Sequence, residues 1–171
     1  MDAAELRATQ APIKDRYKSD PGAAMITLKA RGSIENEGIA CKVETGRALV
    51  TAGLHPATGG SGLEACSGDM LLEALVACAG VTLKAVATAI GVELTSAHLR
   101  AEGDLDFRGT LGVDREAAVG FRDIRLTFDV VSDASQEQLD QLLKLTERYC
   151  VVLQTLRSAP PVAAALDVTR A

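Results

Sequence analysis

The sequence predicts an α+β domain, because its strands and helices arrive in blocks instead of alternating one for one. Three patterns carry that reading. Short period-two runs crowd residues 24–52, two longer ones lie near 99–107 and 124–130, and two helical repeats follow these blocks. With 171 residues, 47% of them hydrophobic and 24% charged, the chain has the length for one domain and too much apolar content for disorder.

Residues 1–22 begin polar and end at the turn signal Asp20-Pro21-Gly22, so they read as an N-terminal arm or short helix. Residues 23–171 read as a single domain. Ile26, Leu28 and Ala30 alternate within Met25–Arg31, and Ile39, Cys41 and Val43 repeat the pattern after Asn36-Glu37-Gly38, which gives a hairpin. Thr45-Gly46-Arg47 turns the chain into a third strand over Ala48–Ala52. Residues 53–68 are glycine-rich and read as a loop.

A long apolar helix follows, from Asp69 to about Ile90, with Ser67 or Asp69 as N-cap and Gly91 in place to end it. At about 100° per residue, Glu73, Lys84 and Thr88 fall on one stripe and the rest of the circumference is apolar. Such a helix is expected to be surrounded on most sides. Glu73 and Lys84 interrupt the run, which argues for a core helix over a membrane span.

Leu99, Ala101, Gly103, Leu105 and Phe107 alternate with charged residues, and Ile124, Leu126, Phe128 and Val130 alternate with Arg125, Thr127 and Asp129. Both segments read as antiparallel strands with one wet face. Ser135-Gln136-Glu137-Gln138 is a capping box, and Leu139, Leu142, Leu143, Thr146, Tyr149, Cys150 and Leu153 follow at helical spacing. Pro160-Pro161 stops this region, and Val162–Val168 is expected to be a last strand.

Composition narrows the function. A net charge of -5 argues against coating nucleic acid or anionic lipid, and three Phe, two Tyr and no Trp leave few stacking platforms. The first twenty residues lack the apolar stretch of a secretory signal, so the expected setting is cytoplasmic, with neither nucleic acid nor membrane as partner.

Four cysteines remain, Cys41, Cys66, Cys78 and Cys150, with no CxxC and no zinc pattern with His55 or His98. Cys41 alternates with core positions, and Cys66 is expected to be the most exposed. Cys78 and Cys150 each lie on an apolar face of a long helix. Cysteines so placed are either small packing residues or a reactive pair. As a pair, one thiolate can take oxygen from a peroxide and the second thiol can condense with the sulfenic acid to a disulfide. His55 reads as a loop histidine, and Gly59-Gly60-Ser61-Gly62 lacks the ending of a phosphate loop.

The stretch Ser67-Gly68-Asp69-Met70-Leu71-Leu72-Glu73-Ala74-Leu75-Val76-Ala77-Cys78, continuing to Ala87, resembles the central helix of the OsmC/Ohr family of osmotically inducible and organic hydroperoxide resistance proteins. Leu145-Thr146-Glu147-Arg148-Tyr149-Cys150-Val151-Val152 resembles that family's second-cysteine helix, and the likeness extends over roughly residues 24–168. It implies an OsmC-like fold, with antiparallel sheets wrapped around long buried central helices in an intertwined homodimer. It also implies Cys78 as the peroxidatic and Cys150 as the resolving residue, organic hydroperoxide as substrate, and no cofactor beyond an external dithiol reductant.

Some positions depart from the family. Its glutamate ten residues ahead of the reactive cysteine is replaced by Gly68, and the nearest carboxylate, Asp69, reads either as a substrate-binding stand-in or as a plain N-cap. Val151-Val152-Leu153 follow the second cysteine in place of a proline and small polar residues. The family's activating arginine corresponds to Arg47 or Arg31, with Arg47 preferred. Two functions are therefore expected in competition: a thiol-dependent peroxidase using Cys78 and Cys150, or a non-catalytic dimer that binds a small apolar or thiol-reactive ligand at its subunit interface.

Overall fold

A run rich in Ala and Leu, with no proline, lets the chain pass from Ser67 to Ile90 as one 24-residue helix. The computed structural model describes residues 2–19, 31–34, 40–44 and 49–169. The long helix is α2, since the N-terminal segment already forms α1 (Ala3–Ser19). Cys66 occupies the N-cap of α2 without a side-chain cap bond. Ser67 and Asp69, the two expected caps, both lie inside the first turn, where the Asp69 carboxylate complements the helix dipole. Gly91 ends the helix at φ 75°, a conformation that favours glycine, and its N–H donates to the Ala87 carbonyl.

Around α2 the residues divide into three sectors at about 100° per residue. Leu75, Ala79, Leu83, Val86 and Ala87 form a buried one. Glu73, Lys84 and Thr88 form a polar one, in which Thr88 donates its hydroxyl to the Lys84 carbonyl. Leu71, Ala74, Cys78 and Val81 form a third that is apolar yet open, with Val81 73% exposed. A helix expected to be enclosed on most sides is thus buried along one sector among the described residues. By length and composition α2 also suffices to cross a membrane, despite Glu73 and Lys84. What assigns it to the core is the packing of its buried sector.

That packing comes from a two-stranded antiparallel sheet, β5 (Ser96–Leu105) and β6 (Phe121–Val131). Alternation turns Ala97, Leu99 and Ala101 of β5 and Ile124, Leu126, Phe128 and Val130 of β6 toward α2. Leu99 and Phe128 pair across the strands and touch both core clusters, so one cross-strand pair joins the two halves of the core. On the wet face, Asp104 stands opposite Asp123, and the Arg125 guanidinium bridges both carboxylates. Phe107, expected as the end of a strand, opens the one-turn helix α3 (Phe107–Thr110) instead. Its N-cap is Asp106, whose carboxylate accepts from the Arg108 N–H.

The second expected helix is two helices, α4 (Gln136–Tyr149) and α5 (Val151–Arg157). The capping box forms as read: the Ser135 hydroxyl accepts from the Gln138 N–H, and the Gln138 side chain accepts from the Ser135 N–H. Leu142 and Thr146 are buried, whereas Leu143 and Tyr149, also counted in the apolar repeat, are exposed.

Ahead of α2 lies a second sheet in the order β1 (Arg31–Ile34), β2 (Ala40–Glu44), β3 (Leu49–Gly53) and β4 (Ala65–Cys66). The first three strands are antiparallel, with Ile34 opposite Cys41 and Cys41 opposite Ala52. The hairpin expected over Met25–Val43 is present at its C-terminal end, and its residues 25–30 and 35–39 lie outside the described residues. The loop after β3 contains more order than its glycines suggest. Pro56–Thr58 make a 3-10 turn, and β4 adds a parallel bridge onto β3. No strand forms over Val162–Val168. The chain there is irregular, and Val162, Leu166 and Val168 stay exposed because no strand edge of the described chain lies beside them.

Leu75 is fully buried against Ala79 and Cys150, so Leu75→Ala is expected to cost about 2–5 kcal/mol in urea unfolding. Ser135→Ala removes only a cap and is expected to cost about 1 kcal/mol, with an unchanged slope against urea.

Candidate functional site

Cys78 sits at the edge of the open sector of α2, beside the buried one, and is partly buried. Cys150 joins α4 to α5 and is fully buried. The break falls on Cys150 alone. Cys150 is extended at φ -72°, ψ 105°, and the helix restarts at Val151. The Cys150 N–H still closes α4 onto the Thr146 carbonyl at 3.0 Å. The Gln154 side chain then reaches back to the Glu147 carbonyl at 2.7 Å, and Arg157 pairs with the Glu147 carboxylate. These two bonds fold α5 back against the end of α4.

Because α5 starts afresh, the N–H groups of its first turn have no carbonyl below them. Those of Val151 and Val152 favour the anion of Cys78, and Cys78 and Val152 pack on the same buried cluster. Burial alone pushes the Cys78 thiol up. Four donors outweigh it, the Val152 N–H first, then the Cys150 thiol, the Val151 N–H and the Thr82 hydroxyl, and hold Cys78 below the ordinary thiol range. At Cys150 the balance is reversed. Burial raises it, the N–H groups of Leu153 and Val152 oppose this, and its bond to Cys78 with the charge there raises it further. The two sulfurs therefore form an asymmetric pair, with Cys78 ready to ionise and Cys150 held as the protonated donor.

The cysteine pair read from the sequence is brought together, and Asp69 lies away from it. Asp69 is exposed, nine residues before Cys78, about 13 Å along the helix axis and about 180° around it. Arg47 lies outside the described residues, and Arg31 opens β1. Cys66, expected to be the most exposed cysteine, is partly buried at the start of α2. His55 has a structural role, with Nδ1 accepting from the Ala57 N–H and the ring stacked on Phe107 at 5.0 Å. Among the described residues no group of three or more His, Cys, Asp or Glu could hold a metal.

Sequence reasoning missed Thr82 and the two backbone donors. Thr82 had a legible signal, since a hydroxyl at i+4 on a helix stands directly above its partner. The donors depend on the break at Cys150, which the continuous apolar repeat concealed. Also unforeseen is a groove of about 770 Å³ between β6 and the helices α4 and α5, lined by residues such as Leu126, Phe128, Leu139, Leu143 and Leu156. Neither cysteine lines it.

A family model described as OsmC-like protein matches residues 60–165. No curated protein matches the chain. Solved structures share its fold at low identity. An OsmC-like protein from Mycoplasma pneumoniae superposes with a TM-score of 0.65 at 16% identity, over 78% of this chain and 89% of that one. An organic hydroperoxide resistance protein OsmC from Legionella pneumophila gives 0.61 at 15% identity, over 78% and 91%. An organic hydroperoxide resistance protein from Elizabethkingia anophelis gives 0.61 at 14%, over 79% and 91%. The matched segment contains α2, the β5–β6 sheet and both site cysteines, and on that match the chain belongs to the OsmC-like protein family.

Proposed function

We propose that the chain is a thiol-dependent peroxidase that reduces organic hydroperoxides in defence against oxidative stress. The observation that supports this most is the sulfur pair: a thiol held low by donors, in direct contact with a second thiol held high. The Cys78 thiolate attacks the outer oxygen of the hydroperoxide. The O–O bond breaks, an S–O bond forms, and the departing alkoxide takes a proton to leave as the alcohol. The Cys150 sulfur then attacks the Cys78 sulfenic acid; the S–S bond forms and the oxygen leaves as water with the Cys150 proton. An external dithiol restores both thiols and is itself oxidised to a disulfide, with no bound cofactor in the cycle.

The apolar surroundings suit an organic substrate. Val81 is exposed one turn from Cys78, and Tyr149 and Val151 are exposed on either side of Cys150. The open sector of α2 is proposed to pack against a second copy, which places the sites at the interface of a cytoplasmic homodimer. Arg47 is the cation proposed to orient the hydroperoxide. The groove beside β6 favours the other reading, an OsmC-like dimer that holds a small apolar ligand without turnover.

Thiol chemistry separates the two. At pH 7 iodoacetamide is expected to modify Cys78 at least roughly tenfold faster than Cys150, since a lowered thiol keeps its reactive anion at a pH where a raised one does not. Cys150→Ala removes a donor from Cys78, so the alkylation profile of Cys78 should move to higher pH. One equivalent of an alkyl hydroperoxide should produce a Cys78–Cys150 disulfide by peptide mapping, absent in Cys78→Ser and Cys150→Ser. In Cys150→Ser a sulfenic acid should be trapped on Cys78. If both thiols stay reduced, the ligand-binding reading takes over.

A further inference from the structure

Among the described residues one buried side-chain hydroxyl lacks a hydrogen-bond partner, the Oγ1 of Thr146, on a residue that is itself fully buried. A helical threonine has a partner at hand in the carbonyl one turn back, and Thr82 and Thr88 of α2 both use it at 2.8 Å. Thr146 does not, so its hydroxyl is turned off its own helix into the packed interior. Such a group destabilises the fold that holds it, because nothing has replaced the water it lost on burial. A valine would fill the same space without that loss.

The position of Thr146 ties it to the second cysteine. Leu142, Thr146 and Cys150 are each four residues apart and share one face of α4. Leu142 packs with Leu83, Val86 and Ala87 of α2, and Cys150 with Leu75 and Ala79, so this face runs antiparallel to α2 with Thr146 between the two core clusters. The Thr146 carbonyl accepts the Cys150 N–H at 3.0 Å. Cys150 leaves the helix through its ψ of 105°, while its φ of -72° is still helical. Since φ sets the direction of Cβ from a given N and Cα, the Cys150 side chain starts as on an intact helix, tilted back over the turn that carries Thr146. Side chains in that relation have Cβ atoms about 5–6 Å apart, which lets a rotated hydroxyl reach the sulfur.

Cys150 is the sulfur in need of a donor. It is fully buried, with Cys78 packed on its cluster, and negative charge grows on it when it attacks the Cys78 sulfur. We infer that Thr146 serves the disulfide-forming step: its hydroxyl, uncommitted in the resting dithiol, turns to donate to the Cys150 sulfur as that sulfur gives up its proton and bonds to Cys78. The Cys150 S–H bond breaks and the S–S bond forms. The group on Cys78 departs, as water with the Cys150 proton when it is the oxygen of a sulfenic acid, and the Thr146 proton stays on its own oxygen. A charged acceptor binds a hydroxyl more strongly than a neutral one. The bond is therefore gained on the way to the disulfide and not before, which is the kind of interaction that speeds a step. The inference rests on the peroxidase reading for the oxidation of Cys78, though the closing step can be tested without peroxide.

The test compares wild type with Thr146→Val and Thr146→Ser, with circular dichroism and urea midpoints to verify folding. Dithiobis(nitrobenzoate) loads Cys78 as a mixed disulfide and releases one coloured thiolate; attack by Cys150 releases a second and closes the Cys78–Cys150 bond. Acid quenching and peptide mapping follow both species apart from any reaction at Cys41 or Cys66. The valine variant is expected to fold with a urea midpoint at or above that of wild type and to load Cys78 at the wild-type rate. Its closing step should be roughly tenfold slower at pH 7, with the closing profile moved to higher pH. Serine should return closing to within about threefold of wild type. A folded valine variant that closes as fast as wild type would overturn the inference. So would a midpoint well below wild type, since the hydroxyl would then already be bonded at rest. A wild-type mixed disulfide that never closes would overturn it together with the peroxidase reading. Slow closing with serine rescue, in a protein that consumes no alkyl hydroperoxide, would uphold the role of Thr146 and reject the peroxidase reading.

Discussion

The site depends on the place where α4 stops. Had α4 continued through Cys150, the Val151 N–H would bond the Glu147 carbonyl and the Val152 N–H that of Arg148, as any helix interior requires. The Glu147 carbonyl is instead taken by the Gln154 side chain. That exchange, one side-chain amide for one backbone amide, frees the Val151 N–H for a sulfur on another helix. The break also turns Cys150 into the core beside Leu75 and Ala79, where its thiol meets Cys78.

Everything else holds these two helices at that spacing. The β5–β6 sheet presents a row of apolar side chains to α2, and the same row reaches α5 through Leu153 and Leu156. The Leu99–Phe128 pair belongs to both clusters, so a disturbance at the Val92 end of the core is felt at the cysteine end. Rigid placement matters because a donor to a sulfur acts only over a short range and a narrow angle.

Much of this was legible in the residues. The period-two runs located β5 and β6, the capping box located the start of α4, and Gly91 located the end of α2, since each is a local rule that the chain obeyed locally. Cys78 and Cys150 were legible as a pair on apolar faces, although Cys78 lies at the edge of the open sector of α2 and Cys150 at the break between two helices. The rest was not, for physical reasons. Leu142, Thr146, Cys150 and Leu153 keep helical spacing across the α4–α5 break, because a single extended residue shifts the phase too little to disturb an apolar pattern. The parallel bridge of β4 to β3 spans two residue pairs, too short for any periodicity. The exposed sector of α2 reads as core in composition, and only its exposure among the described residues distinguishes it. Val162–Val168 is apolar enough for a strand, but a strand also needs an edge to join.

The two sulfurs meet across a long stretch of chain, from residue 78 to residue 150, and that separation couples redox state to folding. In an unfolded chain, a bond between them would have to close a loop of that length, an entropic cost of about 4 kcal/mol. The folded chain has closed the loop already, through the packing of α2 on α4 and α5. The fold therefore raises the effective concentration of one thiol at the other and makes the dithiol easier to oxidise than the same two cysteines in a loose polypeptide. By linkage, the oxidised molecule resists unfolding by the same amount. Each turnover would then alternate the protein between a more and a less stable form.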